Sequence, residues 1–226
     1  IMDIHKVKLI YFSPTGKTRK ILEGIFHGLH IDTVEHVDLT LSESGLCPED
    51  ISDNELVLIG VPVYGGRIPE EAVKRLKKIK ADKTLAVAVV VYGNREYHGA
   101  LRDLRDIIKG IGFIPLAGGA FIGELSYSEK GFPNAAGRPD SHDIDKSKEF
   151  GAIIKMKLKD YHDPGKVTPI RVPMGDPYQE VVKPTDLCPV TFQSSCTLCE
   201  ACVSACPAEA ITLTDSVITN RSNCVL

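Results

Sequence analysis

The chain has 226 residues, 43% hydrophobic and 25% charged, with a formal net charge of -3. That length and balance fit a packed globular domain plus a small second unit, and so small a charge gives no electrostatic footprint for nucleic acid. With no run of 18 apolar residues and no cleavage pattern in residues 1–12, neither a transmembrane helix nor a signal peptide is expected.

Taken in order, residues 7–12 read as a buried first strand. The turn Ser13-Pro14-Thr15-Gly16-Lys17-Thr18 follows. A hydroxyl- and glycine-bearing turn between a strand and a helix can cradle a phosphate on backbone N–H groups and side-chain hydroxyls. The bland alternative is a solvent-facing turn capped by Thr18. A helix opens at Thr18, with Ile21, Leu22, Ile25, Phe26 and Leu29 at helical spacing. Residues 34–39 form a second strand. Residues 40–54 read as a connection containing Cys47, a thiol with no evident partner.

Residues 55–61 are a third strand, apolar through its middle as parallel strands covered on both faces are. The rigid loop 62–69 carries Pro62, Tyr64, Gly65, Gly66 and Arg67, and a helix follows with Ala72, Val73, Leu76 and Ile79 on one side. Residues 84–92 are a fourth strand, ending in a loop with Gly93, Asn94 and Tyr97. A helix over roughly 98–110, a fifth strand over 113–121, a long excursion over 123–142 and a last helix over 143–161 complete the pattern. Strand and helix alternate five times, which argues an open α/β sheet, doubly wound and parallel. Loops 13–18, 62–69 and 93–97 then share the carboxyl edge of that sheet, where ligands bind.

The turn at 13–18 is not a triphosphate loop, because position 11 is Tyr where that motif needs Gly. Three hydroxyls suit a single monoester phosphate. Tyr64 and Tyr97 are candidates to stack on the two faces of a planar ring, or are ordinary surface packing. Gly65 and Gly66 allow close backbone approach.

Residues 162–186, with five prolines, read as an extended linker along the first domain. Six of the seven cysteines fall in the last 39 residues. Residues 1–185 carry 26 basic and 26 acidic side chains, so the whole net charge sits on the C-terminal part. The spacing Cys196-x-x-Cys199-x-x-Cys202-x-x-x-Cys206-Pro207 is too tight for ordinary disulfides. It fits an iron–sulfur cube better than zinc, which wants paired ligands further apart. Thiolate ligation implies a reducing, cytoplasmic setting.

Residues 13–18, 62–67 and 92–97 resemble the three FMN loops of the flavodoxin family. The resemblance spans about residues 5–160 and implies a flavodoxin-like, five-stranded sheet. It assigns the phosphate to Ser13, Thr15, Gly16, Lys17 and Thr18. It assigns the isoalloxazine ring to Pro62, Tyr64, Gly65, Gly66, Gly93, Asn94 and Tyr97. The neutral Asn94 stands near where short flavodoxins often carry an acid.

The cysteine run resembles bacterial ferredoxins with two [4Fe-4S] clusters. By that resemblance Cys196, Cys199 and Cys202 hold one cluster, Cys206 joins the second, residues 208–219 form the hairpin between the two cysteine runs, and Cys224 opens the second run. Leu226 ends the sequence two residues later, so the rest of that run is expected to be missing and the ferredoxin-like α+β module partial. One rearranged cluster using Cys224 or Cys188 is the alternative.

The two resemblances together point to a flavodoxin–ferredoxin fusion with units at 1–161, 162–186 and 187–226. Its implied work is electron transfer between [4Fe-4S] clusters and FMN in anaerobic redox metabolism, served by a redox partner protein or a small-molecule donor or acceptor. Neither nucleic acid nor membrane is an expected partner, and the reading allows a homodimer. The alternative is an FMN-dependent NAD(P)H or quinone reductase, with Tyr127, Phe132 and Arg138 lining its substrate site. No nucleophile–base set is present, and His98 reads as surface.

Overall fold

The computed structural model describes residues 4–41, 54–126, 133–168, 170–173 and 188–225. The alternation of apolar runs and amphipathic stretches becomes β1 (Lys6–Tyr11), α1 (Lys17–Leu29), β2 (Thr33–Asp38), β3 (Glu55–Pro62), α2 (Glu70–Leu76), β4 (Leu85–Tyr92), α3 (Ala100–Ile111), β5 (Ile114–Ile122) and α4 (Ser141–Leu158). Each lies within a few residues of its sequence-based expectation. The largest shortfall is α2, which stops at Leu76, while Ile79 is still buried beyond it.

All five strands run parallel, in the order β2-β1-β3-β4-β5. This is the doubly wound order that the resemblance implies. Alternate residues face opposite sides of the sheet, and two cores form. Ile10, Phe12, Ile59, Val61, Ala88 and Val90 pack with α2 and α3. Leu9, Tyr11, Leu56, Leu58, Val87 and Val89 pack with α1 and α4. Every residue of β3 is therefore buried.

Helices α1 and α4 meet backbone to backbone. A Cβ on Gly28 would lie 1.9 Å from the Lys148 carbonyl oxygen, and one on Gly151 would lie 2.1 Å from that of Ile25. At the start of α4, Asp140 and Asp143 form a reciprocal capping box. The Arg138 guanidinium is bonded to Asp143 and holds its carboxyl below the usual range.

Along the β5 edge, the Ile170 amide donates to the Pro115 carbonyl at 3.4 Å. Ile170 and Val172 lie against Gly118. The described start of the linker thus packs on the sheet. Cys47, Tyr127 and Phe132 lie outside the described residues.

The C-terminal unit has a 3-10 turn (Gln193–Ser195), α5 (Ala201–Ala205) and an antiparallel hairpin of β6 (Ile211–Leu213) and β7 (Val217–Thr219). Gln193 Nε2 donates to the Val217 carbonyl at 2.8 Å, and Ala210 and Val217 form its small interior. Among the described residues no helix is long and apolar enough to cross a membrane.

Because Gly28 touches peptide backbone that has nowhere to go, G28A forces α1 and α4 apart. A loss of about 3 kcal/mol is expected in urea denaturation, the upper end of overpacking costs.

Candidate functional site

At the exit of β1 the Gly16 amide donates to the Ser13 carbonyl at 3.0 Å, closing a turn. Gly16 has φ +74°, which glycine adopts without a Cβ penalty. Helix α1 begins one residue later. Its first-turn amides have no intrahelical acceptors. Ser13 Oγ takes the amide of Arg19 at 3.1 Å, which leaves those of Lys17 and Thr18 for an anion. The N-cap position is Gly16, so Ser13, three residues earlier, satisfies one first-turn amide from outside the helix, with a hydroxyl proton still to give. Its own amide donates to Thr40 Oγ1 at 2.9 Å, tying the turn to the exit of β2. Thr18 is buried, its methyl toward Gly60.

The second loop is a tight two-residue turn. Tyr64 and Arg67 exchange backbone hydrogen bonds at 2.8 and 3.0 Å. Gly65 and Gly66 between them have φ +55° and +78°, the pattern of a type I′ turn. Arg67 Nη1 pairs with Asp103 Oδ2 at 2.6 Å and anchors the loop to α3. The Tyr64 phenol is pushed up to about 12 by burial.

In the third loop Asn94 and His98 have positive φ. Tyr97 meets Tyr92 edge-on, with ring centroids 5.3 Å apart. The His98 ring is exposed and lies over Gly66, where a Cβ would come within 2.3 Å of it.

A fourth segment, after β5, closes the set. The Gly123 amide donates to the Tyr92 carbonyl at 2.9 Å, that of Glu124 to the Arg138 carbonyl at 3.0 Å, and that of Leu125 to the Asn134 carbonyl at 3.3 Å. Leu125 sits against Gly93, and Glu124 Oε2 lies 3.6 Å from Lys17 Nζ.

These loops enclose a small cleft, with a cavity volume of about 30 Å³. Of the residues expected at the site, Thr15, Lys17, Thr18, Pro62, Tyr64 and Gly93 line it. Ser13, Gly16, Gly65, Gly66, Asn94 and Tyr97 stand in the same loops without lining it. Val63, Tyr92, Glu124 and Leu125 were missed by the sequence reading. The rule that singled out the other loops, a position at a strand's carboxyl end, would have found the last two. Arg138, a candidate for a second substrate, is committed to Asp143 and Asp140.

The cysteine loop is shaped by left-handed residues, Leu198 at φ +55° and Glu200 at φ +59°. Amides turn toward sulfur: Leu198 donates to Cys196 Sγ at 3.5 Å and Ala210 to Cys206 Sγ at 3.3 Å. The Ala201 amide, and then the Thr197 hydroxyl, hold the Cys199 thiol below its ordinary range. Cys224 is half-buried. Among the described residues no three His, Cys, Asp or Glu side chains converge as single-ion ligands do. Four closely spaced thiols, three of them with amide donors, fit the donor chemistry of an iron–sulfur cluster, whose irons are held at separate corners. The amides of α1 and the hydroxyls beside them fit a phosphate.

The sequence matches the family model for flavodoxin over residues 9–138 and that for a 4Fe-4S binding domain over residues 189–212. Solved structures similar to this chain include an archaeal flavodoxin, 16% identical, covering 68% of this chain and 99% of that one with a TM-score of 0.44. A flavodoxin from Streptococcus pneumoniae TIGR4 is 16% identical over 68% of this chain and 99% of its own, with a TM-score of 0.48. The rubredoxin oxygen:oxidoreductase of Desulfovibrio gigas is 19% identical over 69% of this chain and 36% of its own, with a TM-score of 0.46. No curated protein sequence matches the chain.

Burial of Tyr64 carries a sign. Above its ordinary pKa of 10.0 the unfolded chain releases the phenolic proton while the fold keeps it up to about 12. The stability that the buried neutral phenol contributes is therefore complete below about pH 10 and is lost as pH rises toward 12. Urea denaturation between these values should show wild type losing stability faster than Y64F.

Proposed function

The chain belongs to the flavodoxin family and carries a 4Fe-4S binding segment on the same polypeptide, and from that premise we propose that it passes electrons between an iron–sulfur cluster in residues 187–226 and an FMN in residues 1–161. The observation that carries the proposal is the joining, in one chain, of an anion-ready turn under an aromatic-walled cleft with a run of closely spaced thiols. FMN supplies one- and two-electron chemistry and a [4Fe-4S] cluster one-electron chemistry.

The amides of Lys17 and Thr18, the hydroxyls of Ser13 and Thr15 and the Lys17 ammonium hold the phosphate. Tyr64 and the Tyr92–Tyr97 pair give aromatic walls to the ring. Val63 and Leu125 keep water from its buried side. Gly65, Gly66, Gly93 and Asn94 bring backbone close to its edge. Cys196, Cys199 and Cys202 hold three corners of one cluster, and Cys206 and Cys224 serve a second. The setting is a reducing cytoplasm and an anaerobic metabolism, with a redox protein or small molecule as the external donor or acceptor.

Two measurements test this. Anaerobic reconstitution should give about one FMN per chain and about four iron atoms per assembled cluster, with C202A losing iron and keeping FMN. Iron that never binds sinks the proposal. Second, the Glu124 carboxylate faces the Lys17 ammonium that the phosphate needs. E124Q should tighten FMN about fivefold, equivalent to about 1 kcal/mol of relieved repulsion, and leave riboflavin unchanged. Equal tightening of both would place Glu124 at the ring rather than at the phosphate.

A further inference from the structure

Arg75, in the last turn of α2, is buried and gathers backbone carbonyls from two parts of the chain. Its Nη1 donates to the Leu39 carbonyl at 2.9 Å and the Thr40 carbonyl at 2.5 Å. Its Nη2 donates to the Pro207 carbonyl at 2.6 Å. Glu71 Oε2 forms only a long ion pair with it, at 3.9 Å. The guanidinium also lies over the Phe12 ring, 5.7 Å from its centroid.

These contacts are unevenly spread through the sequence. Leu39 and Thr40 directly follow β2, and Thr40 Oγ1 accepts the amide of Ser13, the first residue of the phosphate turn. Pro207 follows Cys206, the last thiol of the cysteine run, whose sulfur accepts the Ala210 amide. One side chain therefore joins the backbone next to a thiol to the backbone next to the phosphate turn. A planar guanidinium can do this because its N–H groups diverge in a fixed fork. A buried cation left without one of its acceptors bears an uncompensated desolvation cost, so the site favours keeping the two parts together.

We propose that Arg75 is the positioning residue that seats the cysteine module on the flavin domain beside the phosphate turn, and thereby sets the rate at which one electron crosses between them. The proposal rests on the electron-transfer reading above. In the step, one electron supplied by an external low-potential reductant leaves the reduced cluster, oxidising it, and reduces the flavin by one. Arg75 gains and loses nothing. It fixes distance and orientation only, so it affects the crossing and not the capacity of either site.

The test uses the full chain loaded with FMN and iron, as wild type, R75M and R75K. Flash photoreduction delivers less than one electron per chain from an external photoreductant, and the concentration-independent exchange between the cluster and flavin bands is followed. R75M, which keeps an apolar stem over Phe12, should retain FMN and iron contents and slow the exchange at least tenfold. Amide hydrogen exchange should rise across residues 208–213 as well as at 39–40.

R75K should retain the fold and slow the crossing at least threefold, because a point ammonium replaces the fork. If R75M is recovered unfolded, R75K carries the test. A rate within twofold of wild type in the variant tested, with both cofactors in place, overturns the assignment. So does unchanged protection at 208–213 in R75M. A fully loaded wild type with no exchange between the two bands would instead overturn the electron-transfer reading, and hydrogen exchange would still decide the docking.

Discussion

Five parallel strands deliver their carboxyl ends to one edge, and the strand order turns back on itself between β1 and β3. Both faces of the sheet are covered with aliphatic side chains, so polar chemistry is pushed to that edge. The turns after β1, β3, β4 and β5 converge there because every strand is parallel and points its carboxyl end the same way. The close approach of α1 and α4 through Gly28 and Gly151 fixes α1, and with it the amides that face the phosphate position. A packing constraint far from the cleft thus aims its most important donors.

The cleft is assembled from local turns that are each over-determined. Ser13 accepts a first-turn amide of α1 and closes on Thr40, Arg67 ties the glycine turn to Asp103, and the segment after β5 is pinned by backbone bonds to Tyr92, Asn134 and Arg138. Little reorganisation is needed to hold a cofactor placed against such loops, which lowers the cost of binding it. Lys17 and Glu124 already form an ion pair at the phosphate end. An incoming anion must compete with that carboxylate, so the phosphate end is electrostatically balanced rather than simply positive.

The cysteine module is small, with Ala210 and Val217 as its buried apolar residues among those described. An interior of that size contributes little burial, so cluster ligation and docking carry a large share of its order. The Arg75 fork supplies docking at a point one residue from a thiol. Coupling the module to the β2 exit through backbone carbonyls, rather than through side chains, makes the seat insensitive to which side chains occupy positions 39, 40 and 207.

Much of this was legible in the sequence. Strand and helix periodicity placed nine elements to within a few residues, the glycine and hydroxyl turns marked three of the cleft's loops, and the cysteine spacing marked the cluster. Local pattern suffices there because turn chemistry and thiol spacing are properties of adjacent residues. Tyr92 opened the third loop's motif without being assigned to the cleft, and Glu124 read as part of a long excursion; only the register of β4 against β5 sets them at the same edge. Arg138, a substrate candidate by sequence, is taken up by Asp143 only five residues on, whereas the reach of Arg75 across 132 residues to Pro207 is a contact between distant segments. The linear order of residues determined which elements form and which chemistry they carry. Tertiary packing alone decided which donors meet, because a hydrogen bond between residues far apart in the chain leaves no periodic trace in it.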